Sequence, residues 1–466
     1  MALRREDEMI KVVQAFDRQP IAELPNDDAK NLERKLATAY RLFKDRRTWL
    51  KPYERIDILH KLATLVEGRR DHFGKQIARE GGKPYADALV ETDRAIDGLR
   101  NAAEILRTRA GREIPMGITK GSANRRAWTI EEPIGVVAAI SAFNHPLNLI
   151  VHQIAPAIAT GCPVIVKPAT TTPLSCFELV ELAHEAGIPE DWVQTFLPEE
   201  RELAEAFASD PRVAFLSFIG SARVGWHLRS KLAPGARCAL EHGGVAPVIV
   251  DASADLDKVI EPLAKGGYYH AGQVCVSVQR IYVHQDIEQE FVERFARRVT
   301  ALKVGDPTLP ETEVGPLITP AESDRVQSWI DEAVPGSSRL IGGGRLNETT
   351  LLPSILVHPA KDAKVSTLEV FGPLTCVYSF RTLDEAISEA NSLPVAFQSS
   401  IFTSELASAL DAAERLDAST VMVNDHTAFR VDWMPFAGRH VSGHGVGGIP
   451  FTMHEMTAEK MIVFKT

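Results

Sequence analysis

Apolar residues recur at two different spacings along the chain, and the change of spacing marks its first boundary. Between about Asp27 and Arg109 they fall three and four apart among charged residues, as in Leu59, Leu62, Leu65 and Val66. That spacing predicts a layer of amphipathic helices whose charged faces are solvated. From Ile114 to Ile134 the pattern is broken by Pro115, Gly117, Gly121 and Ser122, and alternation takes over at Ala127 to Ile130. A hairpin-like strand with Trp128 and Ile130 on one side is expected there, and an apolar strand face outside a core suggests a partner chain.

Beyond this point short β-branched runs alternate with helical stretches, which predicts an α/β fold. Gly135 to Ala142 leads into Phe143, Asn144, His145 and Pro146. Cys162 to Val166 leads into Lys167 and Pro168, with a helix expected from about Leu174. Val213 to Ile219 leads into Gly220 and Ser221, with a helix following. Each reads as a buried parallel strand opening at its carboxyl end, where such folds place their sites. A last strand is expected from Glu459 to Phe464.

With 466 residues, 45% hydrophobic and 24% charged, the chain has the balance of a globular protein of two or three domains. A net charge of −10 without a Lys/Arg block argues against nucleic acid or an anionic membrane as partner, leaving a small molecule. The five cysteines show neither Cys-x-x-Cys nor zinc-ligand spacing, so no metal is expected and reduced thiols in a cytoplasm fit. The amino terminus lacks an apolar targeting core, and no apolar run reaches membrane-spanning length.

Candidate chemistry centres on Cys275, set between Gly272 and a β-prone run of Val276, Val278, Ile281 and Val283 expected to form a strand. A nucleophilic cysteine needs an accessible position and a group to take its proton, whereas a lone cysteine can equally be a small buried apolar residue. Glu241 upstream supplies a carboxylate. Asn144 can offer an amide to an oxyanion, or it can cap the next helix with Pro146 in the first turn. Gly220 and Ser221 can hold a pyrophosphate at a helix start, or form a plain βα turn. Lys167 ends a buried strand and needs a polar partner.

Taken together these segments resemble the aldehyde dehydrogenase superfamily. Gly272 to Cys275 matches its G-Q-x-C, and Glu241 to Gly244 matches E-L-G-G with His242 for leucine. Ser141 to Pro146 keeps the Asn and Pro of P-W-N-F-P, and Phe218 to Ser221 matches F-T-G-S. Glu369 to Pro373 matches E-x-F-G-P, and Pro435 to Gly443 matches P-F-G-G-x-K-x-S-G with Ala437 and His440 substituted.

The resemblance implies two doubly wound Rossmann-like domains and a bridging β element. Residues 1–111 and 132–240 would form the dinucleotide-binding domain and 241–420 the catalytic domain. Residues 421–446 would be a return segment carrying an aldehyde-anchoring loop, and 112–131 with 447–466 the element that pairs subunits into a homodimer or homotetramer. It implies NAD(P)-dependent oxidation of an aldehyde to its acid, near the lactaldehyde and phosphonoacetaldehyde types. Cys275 would attack, Asn144 and the cysteine's own N–H would stabilise the oxyanion, hydride would leave to the nicotinamide, and Glu241 would activate water on the thioester.

By the same resemblance Ser141, Phe143, Lys167, Thr170, Gly220, Ser221, Gly225, Glu369 and Phe371 would hold the cofactor. Thr170 stands where NAD-preferring members carry a glutamate, so NADP should be accepted, with NAD still possible. His145, Asn148 and His152 share a helical spacing, and the loop with His426 and Arg430 corresponds to the aldehyde anchor. Such a lining suits a short aldehyde bearing hydroxyl, carboxylate, phosphonate or sulfonate groups, unless Arg430 pairs with Asp425 or Asp432 instead. Release of the acyl group to coenzyme A, or a binding protein without chemistry, are the alternative functions.

Overall fold

The computed structural model describes residues 9–465. Residues 1–8 and 466, which belong to the expected first and last segments, lie outside the described residues. The expected helical layer divides: Ala29–Lys44 packs with Phe196 and Phe207 on one face of the first sheet, and Pro52–Glu67, Arg70–Gly81 and Tyr85–Thr108 form the layer on the other. Asp28 caps the first by accepting from the Asn31 N–H at 2.8 Å, and Pro52 opens the second. The stripe of Leu59, Leu62 and Val66 is buried against Ile150, Val151 and Ile154 of the helix Asn148–Thr160, itself buried on all sides.

That helix lies over a six-stranded sheet ordered Gly443–His444, Arg237–Glu241, Val213–Ile219, Val136–Ile140, Val164–Lys167 and Val193–Thr195. All neighbours run parallel except the short first strand. Val136–Ile140 is wholly buried because both faces are covered. Its alternate residues feed two cores: Val137 and Ala139 join the helical layer, while Val136, Ala138 and Ile140 pack with Phe196, Phe207 and Leu216. The carboxyl ends of three of these strands deliver Ser141, Gly220 and Glu241 to the same side.

A second sheet of seven strands runs Arg339–Gly342, Ser354–Val357, Leu374–Phe380, Arg280–His284, Pro247–Val250, Gln398–Phe402 and Thr420–Val423. Only its first strand is antiparallel. Its centre is a separate core including Val248, Ile249, Ile281 and Val377. The strand expected to leave Cys275 begins only at Arg280. Val276 and Val278 stay in the turn, because Ser277 N–H donates to Val274 O at 2.9 Å and Val278 N–H to Gly266 O at 3.0 Å.

A third, antiparallel sheet joins Thr457–Lys465 to Arg125–Pro133, which also pairs with Glu113–Ile114. Ala127 and Thr129 are buried, whereas Trp128 lies on the other face and stacks on Phe464 with centroids 5.2 Å apart. Met461, Val463 and Phe464 are exposed beside it. Among the described residues no helix is long and apolar enough to cross a membrane.

Candidate active site

The helix Leu256–Tyr268 runs into a tight turn, Tyr269–Gly272, in which His270, Ala271 and Gly272 all have positive φ. At Gly272 (φ +71°) a Cβ would sit 2.2 Å from the Gly372 carbonyl oxygen, so only glycine lets the cysteine loop and the Glu369 to Pro373 loop touch. Gln273 pins the loop. Its Nε2 donates to Pro316 O at 3.1 Å, its Oε1 accepts from Ile318 N–H at 2.9 Å, and its carbonyl accepts from Asn144 Nδ2 at 2.9 Å. The Gly244 N–H then donates to Cys275 O at 3.2 Å, which draws the segment after Glu241 against the cysteine.

These contacts close around a cavity of about 890 Å³ between the two sheets. Cys275, Glu241, Asn144, Ser141, Phe143, His145, Asn148, Gly220, Ser221, Glu369, Phe371 and Arg430 all line it, so residues far apart in the chain share one wall. Asn144 does not cap the following helix. That helix starts at Asn148, and the N–H groups of Leu147 and Asn148 donate to Glu91 Oε1 at 3.0 and 3.1 Å. An amide carries two N–H donors, and Asn144 spends one on Gln273, leaving the other for the cavity.

Burial pushes the Cys275 thiol up, and the Glu241 carboxylate adds to the shift, while Arg430 opposes it. The thiol is therefore protonated at neutral pH and needs a base. Burial likewise pushes Glu241 above the usual carboxylate range, with Arg430 pulling the other way. Arg430 Nη1 lies 3.6 Å from Glu241 Oε1, and its guanidinium sits over the Phe436 ring at 3.5 Å. It pairs with neither Asp425 nor Asp432.

Asp432 instead anchors a network that the sequence did not disclose. It accepts from Arg94 at 3.1 and 2.7 Å, from Asn148 Nδ2 at 3.1 Å and from His152 Nε2 at 2.6 Å. Burial pushes its carboxyl up, but His152 and Arg94 outweigh that and hold it well below the usual range. Asn148 and His152 thus share a helix face as their spacing implies, but that face meets Asp432. His145 precedes the helix, and His152 does not line the cavity. Burial lowers the His152 imidazole to about 4, so it is neutral.

Four other expected residues also lie off the wall. Lys167 is half-buried at its strand end with Nζ 3.4 Å from Pro168 O, and partial burial lowers its pKa to about 8. Thr170 lines a separate cavity of about 420 Å³ with residues Met9 to Val13. Gly225 makes room for His242: a Cβ there would lie 2.0 Å from the imidazole Cε1. His426 packs against Gly266 and accepts from Ala428 N–H at 3.1 Å. Arg94, Tyr269, Gln273 and His242 line the large cavity without having been singled out for it.

The residues present fit a dinucleotide. Glu369 Oε1 and Ser141 Oγ are buried and unpartnered at the cavity, and burial raises Glu369 to about 8. The helix Ala222–Lys231 opens behind Ser221, whose side chain makes no capping bond, and Gly220, Ser221, Arg223 and Val224 line the same cavity.

The model of the Aldehyde dehydrogenase family matches residues 3–462. The chain belongs to that family. The 3-sulfolactaldehyde dehydrogenase of Priestia aryabhattai is 37% identical over 456 residues, covering 98% of this chain and 95% of that protein. The lactaldehyde dehydrogenase of Methanocaldococcus jannaschii is 33% identical over 465 residues, covering 99% and 98%. The crystal structure of glyceraldehyde-3-phosphate dehydrogenase GapN from Methanocaldococcus jannaschii, complexed with NADP, superposes with a TM-score of 0.94 at 32% identity, covering 99% and 100%. This aldehyde dehydrogenase therefore has the family's fold and uses NAD(P), and the reading as a binding protein without chemistry falls away.

Proposed function

We propose that the enzyme oxidises a small aldehyde carrying an anionic group to its carboxylic acid, through a thioester on Cys275. In this reading Cys275 passes its proton to water in the cavity and attacks the aldehyde carbon, while the free N–H of Asn144 and the cysteine's own N–H receive the oxyanion. When bound, the nicotinamide supplies the two-electron acceptor. Glu369 and Lys167 would hold the riboses, Phe371 and Phe143 would flank the ring, and Gly220 and Ser221 would take the pyrophosphate. Glu241 then takes a proton from water, and the resulting attack releases the acid. A carboxylate lining the thioester's cavity favours water over coenzyme A as the acyl acceptor.

The observation that carries the substrate class is the unequal use of two arginines. Arg94 is neutralised by a two-point pair with Asp432, whereas Arg430 Nε has no partner and its closest carboxylate is 3.6 Å away. A buried guanidinium with unfilled donors on the wall bearing Cys275 suits a carboxylate, phosphonate or sulfonate. The similarity to a 3-sulfolactaldehyde dehydrogenase supports the same class.

The test is kcat/KM for 3-sulfolactaldehyde, succinate semialdehyde, phosphonoacetaldehyde, glycolaldehyde, lactaldehyde and hexanal, repeated with Arg430→Ala. The anionic aldehydes should lead, and the variant should lose roughly 10- to 100-fold on them alone, the worth of one charge-assisted hydrogen bond. Hexanal as best substrate would refute the reading. NADP use is supported by the similarity to a glyceraldehyde-3-phosphate dehydrogenase structure complexed with NADP, and a homodimer or homotetramer by the exposed Met461, Val463 and Phe464. Five unpaired cysteines support a cytoplasmic enzyme.

A further inference from the structure

We propose that the substrate's anionic group frees the base, by drawing Arg430 away from Glu241 once the acyl group is in place. The inference rests on the anionic-substrate reading above and adds to it a coupling between binding and the water step.

The contact is built to be exchanged. At 3.6 Å the Arg430–Glu241 pair is longer than a charge-assisted hydrogen bond of about 2.7–2.9 Å. The remaining guanidinium contacts are equally loose: Nη2 reaches His152 Nδ1 at 3.5 Å, and Nε has no partner. Phe436 fixes the guanidinium plane from one face, so its edge stays open to a planar acceptor. Both side chains are nearly buried, at 9% and 14% exposure, so water does little to replace a lost partner. An anion that offers two oxygens to Nε and an Nη gains the forked geometry that Glu241 does not have.

The consequence falls on one chemical step. In thioester hydrolysis a water oxygen bonds to the acyl carbon, its proton passes to Glu241, and the carbonyl pair moves to oxygen and returns as the C–S bond breaks with its electrons on Sγ. A carboxylate held by a guanidinium is a weaker proton acceptor than one released from it. Neutral aldehydes would acylate Cys275 normally but hydrolyse slowly, because nothing displaces Arg430. Arg430 is thus a positioning residue for Glu241 as well as a substrate contact.

The experiment uses stopped-flow absorbance of the reduced nucleotide with propanal, adding ethanesulfonate as a separate anion. The wild-type enzyme should show a burst followed by slow turnover, and ethanesulfonate should raise the steady rate several-fold without changing the burst rate constant. Arg430→Gln should lose that activation. Activation that persists in Arg430→Gln would overturn the role given to Arg430. No activation in wild type, with equal hydrolysis rates for sulfonated and neutral acyl groups, would overturn the coupling. In that event a KM still lower for anionic aldehydes leaves the substrate reading standing, and equal KM values remove both.

Discussion

Asn144 Nδ2 donates to the carbonyl of Gln273 at 2.9 Å, tying the mouth of one sheet to the loop of the nucleophile in the other. The same amide is the oxyanion donor in the proposed mechanism, so it has two duties. Asn144→Ala should lower kcat by roughly 10²- to 10³-fold, the range for one oxyanion donor. It should also cost about 1 kcal/mol in stability for the lost hydrogen bond. Steady-state kinetics and urea unfolding check the two separately, and a kcat within threefold of wild type would remove the donor role.

Dinucleotide affinity should peak near pH 8. Burial raises Glu369 to about 8, and its carboxylate form accepts from a ribose hydroxyl more strongly than the protonated form, so binding weakens as pH falls below 8, by at most tenfold per unit. Burial lowers Lys167 to about 8, so its ammonium is lost as pH rises above that value and binding weakens again. Glu369→Gln should flatten the acid limb and Lys167→Met the alkaline limb, read by quenching of protein fluorescence. A profile unchanged in both variants would contradict these contacts.

Asp432 is the shared acceptor of Arg94, Asn148 and His152. Removing one partner of a buried ion pair typically costs about 3–5 kcal/mol, because the other charge is left unpaired. Asp432→Ala should lower the urea midpoint accordingly and reduce turnover as the substrate end loosens. A loss under about 1 kcal/mol would show that water takes its place as the acceptor.

Thr170→Glu should weaken NADP roughly five- to tenfold relative to NAD, from repulsion of the 2′-phosphate. The measurement is the ratio of the two dissociation constants. An equal effect on both nucleotides would mean that the threonine, which lines the smaller cavity, does not face the phosphate.

The strands that carry Ser141, Lys167 and Gly220 were legible because each is a short run with β-branched residues that ends in Gly, Pro or a polar residue, whereas Arg237–Glu241 has no β-branched residue and was not. The role of Asn144 was not, since Asn and Pro also mark a helix start. Glu91, which supplies the actual cap, sits on a different helix. Arg94 was hidden among Asp93 and Asp97 on a face that looks solvated, and its partner Asp432 lies 338 residues away. His152 shows the limit of spacing arguments: it shares a face with Asn148, but only the packed structure shows that Asp432 occupies that face. Val276 and Val278 have strand propensity that loop closure by Gly266 overrides.

The central claim is that Cys275 carries the acyl group and Glu241 acts on the water that removes it. Its most direct test is a single turnover of Glu241→Gln with a good aldehyde, followed by intact-mass analysis, with Cys275→Ala as control. The account predicts a full burst of reduced nucleotide, a slow steady state, and an adduct of the acyl mass that is absent in Cys275→Ala. No burst and no adduct would contradict it, and would assign Glu241 to activating the thiol rather than the water.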